Sequence, residues 1–216
     1  NFDENIFPDL LMDNHFINLK YNSESSNRRH LYKTEQKRVT ILDHTISEGN
    51  TIHDFLKSCN ICVDLNFLEK KDLNSTVLTR CHELMSRTNQ LNVSGAKFND
   101  NEFNDLINDK SDKFYFKVSD SFGSYGIVGF LNCIVNDREM IIHNLVISCR
   151  VAKKLIENTV INGLTNYYLD KNIKNLSIDY KKTSRNTPIF ESFIDMGFNL
   201  ENNGNLNCNL SDLNDT

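Results

Sequence analysis

The spacing of apolar residues changes period several times after residue 59. "NICVDLNF" alternates as a strand does. "EKKDLNSTVLTRCHELMSRTNQ" places Leu73, Val77, Cys81, Leu84 and Met85 at helical spacing, which predicts an amphipathic helix. "NDNEFNDLIND" reads as a shorter helix. "KFYFKVSD" and "YGIVGFLNCIVND" read as strands around the turn "SFGS", and "NDRE" joins the second of them to "EMIIHNLVI" as a hairpin. A long helix is expected from about Val151, then the strand "NLSIDY", the helix "TPIFESFIDMG" and a strand pair around "ENNGN". The order β-α-α-β-β-β-α-β-α-β-β predicts an α+β domain with helices packed on a largely antiparallel sheet.

The first ~55 residues have a different texture, helical and polar by pattern. "FPDLLMDNHF" puts Phe7, Leu10 and Leu11 on one helix face, and "SESSNRRHLYKTEQKR" reads as a charged helix with serines to cap it. These helices have too few apolar residues to bury themselves alone. "SEGN" at 47–50 is the expected turn or linker. The organisation expected is therefore a helical segment at 1–56 and one folded domain at 57–213.

Composition narrows the class. The chain has 216 residues, 39% hydrophobic and 25% charged, as a globular protein does. The formal net charge of −5 argues against a general nucleic-acid surface. No apolar run approaches the ~20 residues of a membrane span, and the start does not read as a signal peptide. Six scattered cysteines form no disulfide framework, so a reducing, cytoplasmic setting is expected. "CNIC" at 59–62 has half a zinc-site spacing but no second half, and His82 and His143 lack ligand partners at a useful spacing; no metal is expected. The chain opens on Asn1, not Met, and is expected to belong to something longer.

The candidate chemistry lies at two junctions. Asn89, Gln90 and Asn92 follow the amphipathic helix, and their amides can both donate to and accept from a polar ligand; the alternative is a capping and turn cluster. In "SCRVAKKLIEN" a strand runs out into a helix, a common place for a phosphate. Cys149, beside Arg150 and near the expected helix start, is a candidate acyl acceptor; the alternative is a small buried residue. Arg150 suits a phosphate or carboxylate, or else a surface salt bridge. Lys153 and Lys154 would oppose the helix dipole in a first turn, which an anion would relieve; otherwise they form a solvated face. Asn186 and Pro188 supply a cap-like start to the last helix.

The element order resembles the GNAT acyltransferase fold, with the "SCRVAKKL" junction at the acyl-CoA pyrophosphate position. "MSRTNQLNVS", "SDSFGSYGIVG", "ISCRV" and "NTPIFESFIDMGF" together resemble the C-terminal, GNAT-like region of FkbH-type proteins, over about residues 20 to 200. Those proteins join a haloacid-dehalogenase-like domain to this region and load a glyceryl unit, derived from 1,3-bisphosphoglycerate, onto an acyl carrier protein in polyketide pathways. The resemblance implies a transferase component. Its partners would be an acyl carrier protein and a dehalogenase-like domain, of which segment 1–56 is the tail or linker. Cys149 would be catalytic, with Asn89, Gln90, Asn92, Arg150, Lys153, Lys154 and Asn186 binding the substrate or a carrier-bound phosphopantetheine. The dehalogenase domain's aspartate-rich motif is absent, so no phosphatase activity is expected of this chain. Lys153 and Leu155 stand where the family has glycine. Their side chains obstruct close approach of a pyrophosphate, so no tightly bound cofactor and only weak binding of free acetyl-CoA are expected. The alternative function is a non-catalytic scaffold that docks a carrier protein or partner domain.

Overall fold

The computed structural model describes residues 51–69 and 76–213 and, before them, residues 37, 38, 40, 41, 44, 45, 47 and 49. The expected helix at "FPDLLMDNHF", most of the charged helix after it, and Leu73 lie outside the described residues. The chain divides into two units, Asn1–Phe55 and Leu56–Thr216. The second holds the sheet.

A short helix α1 (Ile52–Ser58) leads into β1 (Cys62–Phe67), α2 (Thr76–Arg87), α3 (Asp100–Asn108), β2 (Asp112–Asp120), β3 (Gly123–Asn136) and β4 (Glu139–Ile147). Then come α4 (Ile156–Tyr167), β5 (Asn175–Ile178), α5 (Thr187–Asp195), β6 (Asn199–Leu200) and β7 (Leu206–Asn209). The seven strands run in the order β1-β2-β3-β4-β5-β7-β6. Every neighbouring pair is antiparallel except β4 and β5. The expected α+β architecture is the one observed.

Two cores explain the layering. Alternate residues of the strands, such as Phe114, Phe116, Leu131, Ile142 and Ile178, pack under α4 and α5 with Ile156, Val160, Ile189 and Phe193. The opposite face, with Tyr115, Phe130 and Val146, is covered by Cys81, Leu84 and Met85 of α2 and by Phe103 and Leu106 of α3. The periodicity read for α2 therefore marks its buried stripe. Gly129 of β3 lies directly under Phe116, where an added Cβ would come within 1.8 Å of the ring. A side chain here and a phenylalanine there exclude each other.

The parallel pairing of β4 with β5 ends at Ile142 and Ile178. Beyond that point the strands part, and a piece of the loop after α2 enters between them. Val93 N–H donates to Leu145 O at 3.1 Å, Ile147 N–H donates to Leu91 O at 2.8 Å, and Lys181 N–H donates to Val93 O at 3.0 Å. Leu91–Val93 thus satisfies backbone groups on both sides of the opening, which would otherwise be stranded at a costly depth.

The helix after β4 begins later than its sequence pattern predicts. Cys149–Val151 form a single 3-10 turn, capped by Ser148 Oγ accepting from Arg150 N–H, and α4 starts only at Ile156. Between them Lys153 and Leu155 both adopt the left-handed conformation, with φ of 61° and 55°. Buried Val151 and Ile156 pin the two ends of this short excursion. Lys153 and Lys154 are therefore not first-turn residues, and they do not oppose the dipole of α4 as expected.

Candidate functional site

α2 ends at Arg87, and the chain turns back toward the end of β4. The turn is built around Asn92, which is fully buried. Its Oδ1 accepts from Gly95 N–H at 3.0 Å and from Ser94 Oγ at 3.3 Å. Its Nδ2 donates to Ala96 O at 3.0 Å and to Thr88 O at 3.3 Å. Gly95 has a φ of 64° and sits against Thr183, so a side chain there would clash as well as strain the backbone. With Asn92 turned inward, Asn89 and Gln90 are left facing outward and exposed.

They line a cleft of about 640 Å³ whose other wall is Ser148–Arg150. Its flank is the outward stripe of α2, half-buried Arg80 and Glu83 and exposed Arg87, and Arg185 reaches it from the segment after β5. Arg80 is fixed by its Nε donating to Ile127 O at 3.2 Å and by an ion pair with Glu83 at 2.8 Å. Four arginines thus meet one glutamate in a chain whose formal net charge is −5. Lys97 adds to the field: its ammonium donates to Thr88 O, and burial, then the nearby Arg185 guanidinium, hold it below the ordinary lysine range. The Cys149 thiol is exposed within this cleft, which overturns the reading of a small buried residue.

The remaining expected site residues lie elsewhere. Asn186 is fully buried and makes no side-chain cap for α5. Its Nδ2 donates to Asn92 O and Lys181 O, each at 3.0 Å, and its Oδ1 accepts from Thr183 N–H at 2.8 Å and Tyr180 Oη at 3.3 Å. It is a clamp behind the cleft wall rather than part of the wall. Lys153 is exposed outside the cleft, and Lys154 Nζ lies 5.7 Å from the centre of the Tyr125 ring. His82 and His143 hold structure together. His82 bonds Phe98 O at 2.9 Å, and His143 meets Asp179 at 2.7 Å where β4 and β5 part.

Three of the four arginines, Arg80, Arg87 and Arg185, are what the sequence reading missed; Arg150 was among its candidates. Arg80 and Arg87, seven residues apart on α2, share one face, a signal that helical geometry makes available. Arg185 has no such signal, because only the tertiary fold brings it there. Among the described residues no group of three His, Cys, Asp or Glu gathers to hold a metal ion, and no described helix is long and apolar enough to cross a membrane.

No protein-family model matches this sequence, and no curated protein matches it. Solved structures do. Tetrahymena GCN5 aligns over 71% of this chain and 99% of its own, at 13% identity and a TM-score of 0.50. A domain from Methanocaldococcus jannaschii aligns over 70% of this chain and 100% of its own, at 12% identity and the same TM-score of 0.50. The Vibrio cholerae spermidine N-acetyltransferase in complex with CoA and spermine covers 69% of this chain and 96% of its own, at 19% identity and a TM-score of 0.49. The fold is GNAT-like; at these identities the likeness is one of fold alone.

Proposed function

We propose that this chain is the acyl-transfer part of an FkbH-type protein, moving a glyceryl or related acyl unit onto an acyl carrier protein. The observation that carries the reading is that the exposed Cys149 thiol shares one cleft with the Asn89 and Gln90 amides and four arginines. In this reading Cys149 Sγ attacks the carbonyl carbon of an activated acyl donor, the donor's leaving group departs, and the thiol proton goes to solvent. The pantetheine thiol of the carrier then attacks the resulting thioester, and Cys149 leaves as the thiol again. Asn89 and Gln90 hold the hydroxyls of the acyl unit, and the arginines hold the phosphate of phosphopantetheine and the acidic surface of the carrier. Phosphate chemistry belongs to a dehalogenase-like domain.

The left-handed backbone at Lys153 and Leu155 supports the fold-level part of this reading. Lys153 and Leu155 adopt a conformation that favours glycine, so the backbone path suits a glycine-rich phosphate-binding loop while each position carries a side chain that glycine lacks. That supports carrier-bound phosphopantetheine over free CoA as the ligand. The decisive experiment is intact-mass analysis of the chain after incubation with a synthetic glyceryl thioester, then with carrier protein. A glyceryl adduct mapped to Cys149, lost in Cys149→Ala and discharged by the carrier, is the expected result. Carrier binding without any adduct would leave the alternative reading, a non-catalytic scaffold.

A further inference from the structure

The segment Tyr180–Thr187 walls two cavities. Arg185 lines the arginine cleft, whereas Tyr180, Lys181, Lys182 and Thr187 line a second cavity of about 440 Å³, closed by α5 and by the β6–β7 hairpin. That volume falls within the range of about 300–1,000 Å³ usual for small-molecule sites.

The second cavity is divided chemically. Part of its lining is apolar, with the Tyr180 and Phe190 rings 5.2 Å apart and tilted by 35°, and Leu200, which is 54% exposed. A large aliphatic side chain left this open beside an aromatic pair offers a surface to a flat ring. Another part is cationic. Lys181 and Lys182 are both exposed there, and α5 starts beside them. Asn186 turns its amide inward to Asn92 and Lys181 and gives α5 no side-chain cap; Pro188 has no N–H and Phe190 N–H bonds Asn186 O, so Thr187 and Ile189 are the first-turn donors that remain. An uncapped helix start and two ammonium groups favour an anion through independent interactions. Glu191 is the one carboxylate of the lining; it disfavours a second negative charge and can accept from a donor on the ring.

We propose that this cavity binds a small aromatic carboxylate, its ring against Tyr180, Phe190 and Leu200 and its carboxylate at Lys181, Lys182 and the start of α5. The site is separate from the arginine cleft and does not depend on acyl transfer. Indole-3-acetate is a suitable probe, with tryptamine, a similar ring bearing an ammonium group, as the control. Amide chemical shifts of the whole chain are followed during titration. Indole-3-acetate is expected to shift the amides of 181–187 and Gly204 saturably, and tryptamine to leave them in place. Lys182→Glu, at an exposed position that keeps the fold, is expected to weaken indole-3-acetate binding roughly tenfold, or about 1.4 kcal/mol. Absence of saturation at millimolar concentrations, equal binding of tryptamine, or unchanged affinity in Lys182→Glu would each overturn the proposal.

Discussion

Asn186 Nδ2 donates a hydrogen bond to the backbone oxygen of Asn92 at 3.0 Å, across 94 residues of sequence. The two asparagines are back to back, one shaping the loop that presents Asn89 and Gln90, the other fixing the segment that presents Arg185. Asn186→Ala strands Asn92 O in a buried place and leaves Lys181 O and Thr183 N–H, both part-buried, without this partner. Each orphaned group costs about 1–3 kcal/mol, with partial relief from relaxation. A loss of about 2–4 kcal/mol in a denaturant titration is expected, and a loss under 1 kcal/mol would refute the clamp.

The loop residues separate by direction. Asn92→Ala removes four hydrogen bonds inside the turn and is expected to destabilise by about 2–3 kcal/mol. Gln90→Ala, at an exposed cleft position, is expected to leave the melting temperature nearly unchanged while acyl transfer falls roughly three- to tenfold, the loss of one hydrogen bond to a neutral group. Unimpaired transfer by a folded Gln90→Ala variant would remove Gln90 from the site.

Glycine placed at Lys153 and Leu155 tests the proposed role of this segment. The left-handed conformation costs a non-glycine residue roughly 1–2 kcal/mol. Lys153→Gly with Leu155→Gly is expected to keep or raise stability and to strengthen the binding of free CoA over that of the parent chain. Calorimetry that finds tight CoA binding already in the parent chain would show that the two side chains do not obstruct.

Thiol reactivity follows from placement. Cys62 and Cys149 are exposed, whereas Cys59, Cys81, Cys133 and Cys208 are buried. Burial above all, with the nearby Asp112 carboxylate adding to it, lifts the Cys133 thiol from 9.0 to about 12. Iodoacetamide on the native chain is expected to label Cys62 and Cys149 first and Cys133 only after unfolding. The same shift sets a pH dependence. The folded chain keeps Cys133 protonated where the unfolded chain ionises it, so stability falls as pH rises from about 9 to about 12. Cys133→Ser or Ala should blunt that alkaline slope.

Gly129→Ala is expected to cost about 1–3 kcal/mol by forcing Phe116 off its rotamer or β3 out of place. Adding Phe116→Leu should recover part of the loss; no recovery would mean that the strain lies in the backbone.

The order of strands and helices was legible because each element shows its own period, and the buried stripe of α2 was legible for the same reason. The start of α4 was not. Ala152–Leu155 has good helix-forming composition, and nothing in lysine or leucine announces a left-handed residue; the conformation is imposed by Val151 and Ile156 at its ends. Asn92 and Gln90 are two residues apart in a loop without regular period, so which of them faces inward is decided by Ala96 and Asn186. For Asn186 the cap-like "NTP" pattern pointed to the helix, but a fully buried amide finds stronger demand among three orphaned backbone groups behind it.

The seam made by Leu91–Val93 has a consequence for solution behaviour. It is only three residues long, held to β4 by two backbone bonds and to the chain after β5 by one. Should this piece be withdrawn, the flank of β4 from Leu145 to Ile147 becomes an open slot of unpaired donors and acceptors inside an otherwise intact sheet. An extended segment of another molecule fits such a slot as well as the native one does. Changes at Asn92 or Asn186, which loosen this loop, are therefore expected to promote association between copies in light scattering under conditions where the fold is still intact.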